Sequence, residues 1–153
     1  MPTRPPGALP GASRPRASRP RASAVLAFAL DAALVVAFAA IGRASHDDDG
    51  AGVLGEGGLG LATTAWPFLA ALVVGWLVSL AWRRPAAPLR TGVPVWLVAV
   101  VGGMLLRTLS GQGTALPFVV VATLALLALL VGWRSLAALA RGGGERRSRT
   151  VGA

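Results

Sequence analysis

Apolar residues in this chain run in four long stretches, approximately 24–42, 61–82, 93–110 and 115–133, broken by short segments rich in arginine, glycine and proline. Each stretch is near the roughly 20 residues that carry an α-helix across about 30 Å of hydrocarbon. The pattern predicts an all-α integral membrane four-helix bundle over residues 23–134. It would lie between a disordered Arg/Pro-rich tail at 1–22 and a basic, mostly disordered tail at 135–153.

Local punctuation agrees with these boundaries. Thr63 or Thr64 is placed to cap the second stretch, which would leave Pro67 in its first turn, where a missing N–H costs little. Pro94 follows Thr91 and Gly92, and Pro117 follows Thr114, in the same relation to the third and fourth stretches. A glycine-rich loop separates the first two stretches, whereas Gly111 to Thr114 predicts a tight hairpin.

The arginines fix an orientation. With the N-terminus cytoplasmic, 13 of the 15 basic residues fall inside, and only Arg43 and Arg107 remain for the outer side, together with Asp47, Asp48, Asp49 and Glu56. The positive-inside rule therefore predicts both termini in the cytoplasm, and the expected location is a bacterial cell membrane. Composition supports a membrane class, since 54% of residues are hydrophobic and only 14% charged. The net charge of +9 sits in flanks bordering apolar stretches and not on one folded face, so it points to anionic lipid headgroups and not to nucleic acid. With no cysteine in the chain, disulfides and thiolate chemistry are excluded.

A weak repeat links the two halves. Each hairpin has an arginine near the outer end of its first helix, Arg43 or Arg107, and each second helix opens with Ala-x-Pro-Phe (Ala65 to Phe68, Ala115 to Phe118) and later carries Gly-Trp (Gly75-Trp76, Gly132-Trp133). The Pro-to-Gly intervals are 8 and 15 residues, a difference of about two turns, which predicts a similar facing at different depths. Convergent punctuation at membrane interfaces is the other reading of the same pattern.

Asp31 is the intramembrane charge that most needs a reason, because an acid at a helix centre costs about 2.5–3.5 kcal/mol to insert. Helical phase places it on one face with Ala24, Ala27, Phe38 and Gly42, while Ala29, Ala33, Ala37 and Ala40 form a small-residue stripe opposite. It is either a proton or cation site or a neutral, hydrogen-bonded packing residue, the second being favoured. Arg107 is the partner to test, but helical rise puts the two about 11 Å apart in depth. Arg107 is instead expected to join Arg43, Ser45 and His46 in a polar outer mouth.

A metal reading of His46 beside three aspartates is weak, since no second histidine and no cysteine could complete a site. There is no Gly-x-Ser-x-Gly elbow, phosphate loop or paired carboxylate on one helix, so no catalytic role, metal or cofactor is expected.

In combination, Asp31, the run Phe38 to His46, Ala62 to Phe68, Gly75-Trp76, Leu89 to Gly92, Trp96 and Arg107 closely resemble a family of small bacterial and archaeal membrane proteins known as domain-of-unknown-function family 3054. The resemblance covers approximately 24–134. It implies a four-span helical domain with Asp31, Arg43, Ser45, His46, Trp66, Pro67 and Arg107 at motif positions, and it brings no activity or substrate.

Two functional classes follow. One is a small transporter or transporter subunit, with Asp31 as coupling carboxylate and Arg43, Arg107 and His46 at the outer entrance. Small multidrug-type exporters are similar in having four helices and one acid in the first. They differ in using Glu, in carrying tyrosines and in a shorter outer loop. The other class is a noncatalytic scaffold whose small-residue faces and polar mouth bind another membrane protein; a homodimer is the further partner expected, since four short helices hardly enclose an aqueous path alone.

Overall fold

A computed structural model describes residues 19–45, 52–55 and 59–151. Helices α1 (Arg19–Ala44), α2 (Gly60–Val78) and α3 (Val93–Leu109) are followed by α4 (Leu116–Leu126) and α5 (Gly132–Val151). A π turn at Leu127–Val131 makes α4 and α5 one continuous rod, and a second π turn at Pro88–Gly92 leads into α3. Four stretches are long and apolar enough to cross a membrane: Ala22–Ala44, Gly60–Val78, Pro88–Leu109 and Leu116–Gly142. Among the described residues there is no strand.

The chain runs up and down, so the α1–α2 and α3–α4 connections share one end of the bundle. The start of α1, the α2–α3 connection and the end of the fourth span share the other. Small residues set the closeness of α2 and α3. A Cβ on Gly75 would stand 3.2 Å from the Val95 carbonyl oxygen, one on Gly102 would stand 2.9 Å from Ala71, and one on Gly103 would enter the Phe68 ring. Such contacts let backbones approach where lipid gives no hydrophobic drive to association. Phe38, Phe68 and Phe118 then fill the centre, with Phe38 and Phe68 edge to face at 5.6 Å and Phe68 and Phe118 at 6.2 Å.

On α1, Ala24, Ala27, Asp31, Val35 and Phe38 are buried, while Ala29, Ala33 and Ala37 are exposed. Helical phase thus identified the packed face, and on the opposite stripe only Ala40 is half-buried.

Several boundaries differ from expectation. Helix α2 starts at Gly60, and the Thr63 and Thr64 hydroxyls donate to the Gly60 carbonyl instead of capping. Pro67 is therefore inside the helix, past its first turn, and removes one backbone bond there. Pro117 does lie in the first turn of α4, after the hairpin in which Gly111 and Gly113 both take φ +73°. The second span ends at Val78, and Leu80 takes a left-handed conformation that turns the chain into a 3₁₀ turn at Ala81–Arg83.

Helix α1 begins at Arg19, inside the segment expected as a tail, and α5 continues to Val151 through most of the expected second tail. Extending a formed helix needs no new nucleus, and Ser135 to Arg141 is rich in alanine and leucine. Residues 1–18 lie outside the described residues.

Candidate functional site

Asp31 is fully buried, and its carboxylate accepts four hydrogen bonds. The Oδ1 atom takes Arg134 Nη1 at 2.8 Å and Trp133 Nε1 at 2.9 Å. The Oδ2 atom takes Arg134 Nη2 at 2.6 Å and Trp76 Nε1 at 2.8 Å. Arg134 is equally buried and meets the carboxylate end on through Nη1 and Nη2, a bidentate geometry that suits a guanidinium. Its Nε donates to the Pro85 carbonyl at 2.9 Å and its Nη1 to the Leu130 carbonyl at 2.6 Å, and its head lies 4.5 Å from the Trp133 ring centroid.

Depth explains why this pair forms. Asp31 stands nine residues after Ala22, and Arg134 stands eight before Gly142, so the two are about 13 and 12 Å from the same end of the bundle. Gly92 leaves room for the arginine stem, since a Cβ there would stand 3.0 Å from Arg134 Cδ. The π turn at Leu127–Val131 carries the sequence directly into Gly132-Trp133-Arg134, and such turns often mark working positions in helices. One ion pair thereby ties α1, α2, α5 and the α2–α3 connection. Asp31 is a hydrogen-bonded packing residue, but as half of an ion pair and not as a lone neutral acid.

Sequence reasoning set Arg107 aside as its partner on depth, and the structure separates them, but Arg134 was missed because it was counted among flanking positive residues. The available signal was the apolar run Leu136 to Ala140 beyond it, which keeps Arg134 within the span. The repeat also carried more than its spacing suggested. Both Gly-Trp indoles reach one carboxylate, and both Pro-Phe rings join one cluster, so the side chains of the repeated elements meet in pairs.

The polar mouth expected at the other end is present in part. A cavity of about 1050 Å³ lies between α1 and the α4–α5 rod, with Arg43, Ser45, Thr64 and Arg107 at one end and Phe38, Phe118, Ala125, Ala128 and Leu129 along its length. Arg43 Nε donates to the Val53 carbonyl at 2.7 Å. Arg107 Nη1 donates to Gln112 Oε1 at 3.0 Å, and its head lies 4.4 Å from the Phe118 ring centroid. Each repeated arginine thus ties down the loop of its own hairpin. Ser45 donates to the Ile41 carbonyl, at the rim. His46, Asp47 to Asp49 and Glu56 lie outside the described residues. Among the described residues no group of three His, Cys, Asp or Glu side chains gathers to hold a metal.

A family model described as a protein of unknown function, DUF3054, matches residues 28–137, a stretch that contains Asp31, Trp76, Trp133, Arg134 and the whole cavity. No curated protein and no solved structure matches the chain.

Proposed function

This chain belongs to the DUF3054 family of unknown function, and since that membership carries no activity, we propose from the geometry that it is a small noncatalytic membrane transporter or transporter subunit. The observation that supports this reading is the asymmetry of the bundle. One half opens into a cavity with two arginines at its mouth, and the other half is closed by the saturated Asp31–Arg134 cluster. Such a molecule has the form of a carrier open at one end and gated at the other.

The two halves are mechanically joined. Ala128 and Leu129 line the cavity from within the π turn, and the next residue, Leu130, gives its carbonyl to Arg134. A ligand that displaces the π turn therefore acts on the arginine that closes the far end. Asp31 serves as the gate's anion in this reading. It becomes a coupling carboxylate only in a state in which Arg134 has withdrawn. The arginine distribution supports both termini cytoplasmic in a bacterial cell membrane, with basic flanks against anionic headgroups and the cavity facing outward.

Proteoliposomes on a supported membrane, challenged with steps of organic anions from propionate to octanoate, test this. Transient currents in the intact chain that disappear in Arg134→Gln are expected. Silence across the series from folded protein contradicts transport. The scaffold reading has its own support in the exposed Ala29, Ala33 and Ala37 stripe, which suits a helix of a second copy or another membrane protein. A stable complex lost on Ala33→Leu would favour it.

A further inference from the structure

We infer that the cavity between α1 and α4 is a binding site for an anionic amphiphile, one acidic headgroup on an acyl chain. This deepens the transporter reading by naming a ligand class, though binding stands or falls separately from transport. Three observations carry it.

First, the cavity is open sideways. Ile41 and Val121 line it, are 67% and 59% exposed, and belong to the spans Ala22–Ala44 and Leu116–Gly142, so the opening between α1 and α4 lies within the apolar part of the bundle, where an occupant would enter from the bilayer. Second, its length is apolar. Phe38, Phe118, Ala125 and Leu129 supply a lining without charge, and about 1050 Å³ is at the upper end of what small-molecule sites enclose.

Third, the charge is at one end and of one sign. Among the described residues neither Arg43 nor Arg107 has a carboxylate partner. Arg43 donates to the Val53 carbonyl and Thr64, and Arg107 donates to Gln112 and lies over the Phe118 face, so both positive charges meet only neutral groups. A carboxylate or phosphate headgroup is the partner that two guanidinium groups suit best. An uncharged lipid would fill the groove but leave both charges without a counterion. A small inorganic anion would meet them but leave the apolar length empty.

Native mass spectrometry of the full chain in dodecyl maltoside separates these cases, with oleate, oleyl alcohol and inorganic phosphate as probes. Oleate is expected to bind one to one, about tenfold or more tightly than oleyl alcohol, the ratio that one charge-assisted hydrogen bond supplies. Phosphate alone is expected not to bind. Arg43→Gln/Arg107→Gln should lose that tenfold preference, and Val121→Trp, at an exposed position that leaves the fold intact, should block the groove. Equal binding of alcohol and oleate, binding of phosphate alone, or oleate binding unchanged in both variants overturns the inference. So does oleate binding that emerges only in Asp47→Asn/Asp48→Asn/Asp49→Asn, which would show the loop acids holding the arginines. Oleate binding without currents in proteoliposomes would retain this site and dismiss transport.

Discussion

Arg134 and Asp31, 103 residues apart in the chain, meet end on in the interior of the bundle with both guanidinium-to-carboxylate contacts at 2.8 Å or less and neither side chain exposed. Two indoles complete the carboxylate and two backbone carbonyls occupy the arginine, so all four carboxylate contacts and the arginine's remaining bonds are internal to the protein. A buried pair gains little over a well-packed apolar pair, but breaking one partner strands a charge.

That asymmetry sets the first expectation. Asp31→Asn or Arg134→Gln should each lower stability by about 3–5 kcal/mol, because each leaves one buried member unpaired. The double variant Asp31→Asn/Arg134→Gln should recover much of the loss. Thermal unfolding of the three variants in one detergent measures this as a double-mutant cycle.

The tryptophans should act through the same carboxylate. Trp76→Phe and Trp133→Phe keep an aromatic ring but delete one donor to a charged acceptor, at about 1.5–3 kcal/mol each. In an Asp31→Asn background the penalty of either should fall, since the charge they serve is gone. Equal penalties in both backgrounds would mean that the indoles matter only for packing.

How much of this was legible in the sequence depended on which residues carried it. The four spans were visible because hydrocarbon thickness fixes the length of an apolar run, and α1's buried face followed from the period of Ala24, Ala27, Asp31 and Phe38. The cluster was not, because Arg134 stands next to a basic tail and reads as a flank until the helix is known to continue to Gly142 and beyond. The repeated Gly-Trp pairs were seen, but spacing along a helix does not state where an indole N–H ends up. At the other end, the sequence suggested that Arg43 and Arg107 reach one outer interface, and both line one cavity, whose depth depends on side-chain shapes that helical spacing does not state.

Glycine contacts offer a test of packing independent of charge. Gly103→Ala should destabilise by about 1–3 kcal/mol, because the added methyl enters the Phe68 ring between α2 and α3. Gly92→Ala should do so to a smaller degree by pressing on Arg134 Cδ, and Gly132→Ala, with nothing within 4 Å, should be neutral or slightly stabilising. Unfolding midpoints of the three variants against the parent chain decide the order.

The absence of cysteine in the sequence makes the closed and open halves directly measurable. Single cysteines at Thr64, on the cavity mouth, and at Ala27, one turn beyond Asp31, can be challenged with a membrane-impermeant maleimide in intact cells and in inverted vesicles. The cysteine of Thr64→Cys should react from the exterior, and that of Ala27→Cys should be silent from both sides until Arg134→Gln is added, when it should react in inverted vesicles. Reaction at position 27 with Arg134 intact, or continued silence without it, would contradict a gate formed by the ion pair.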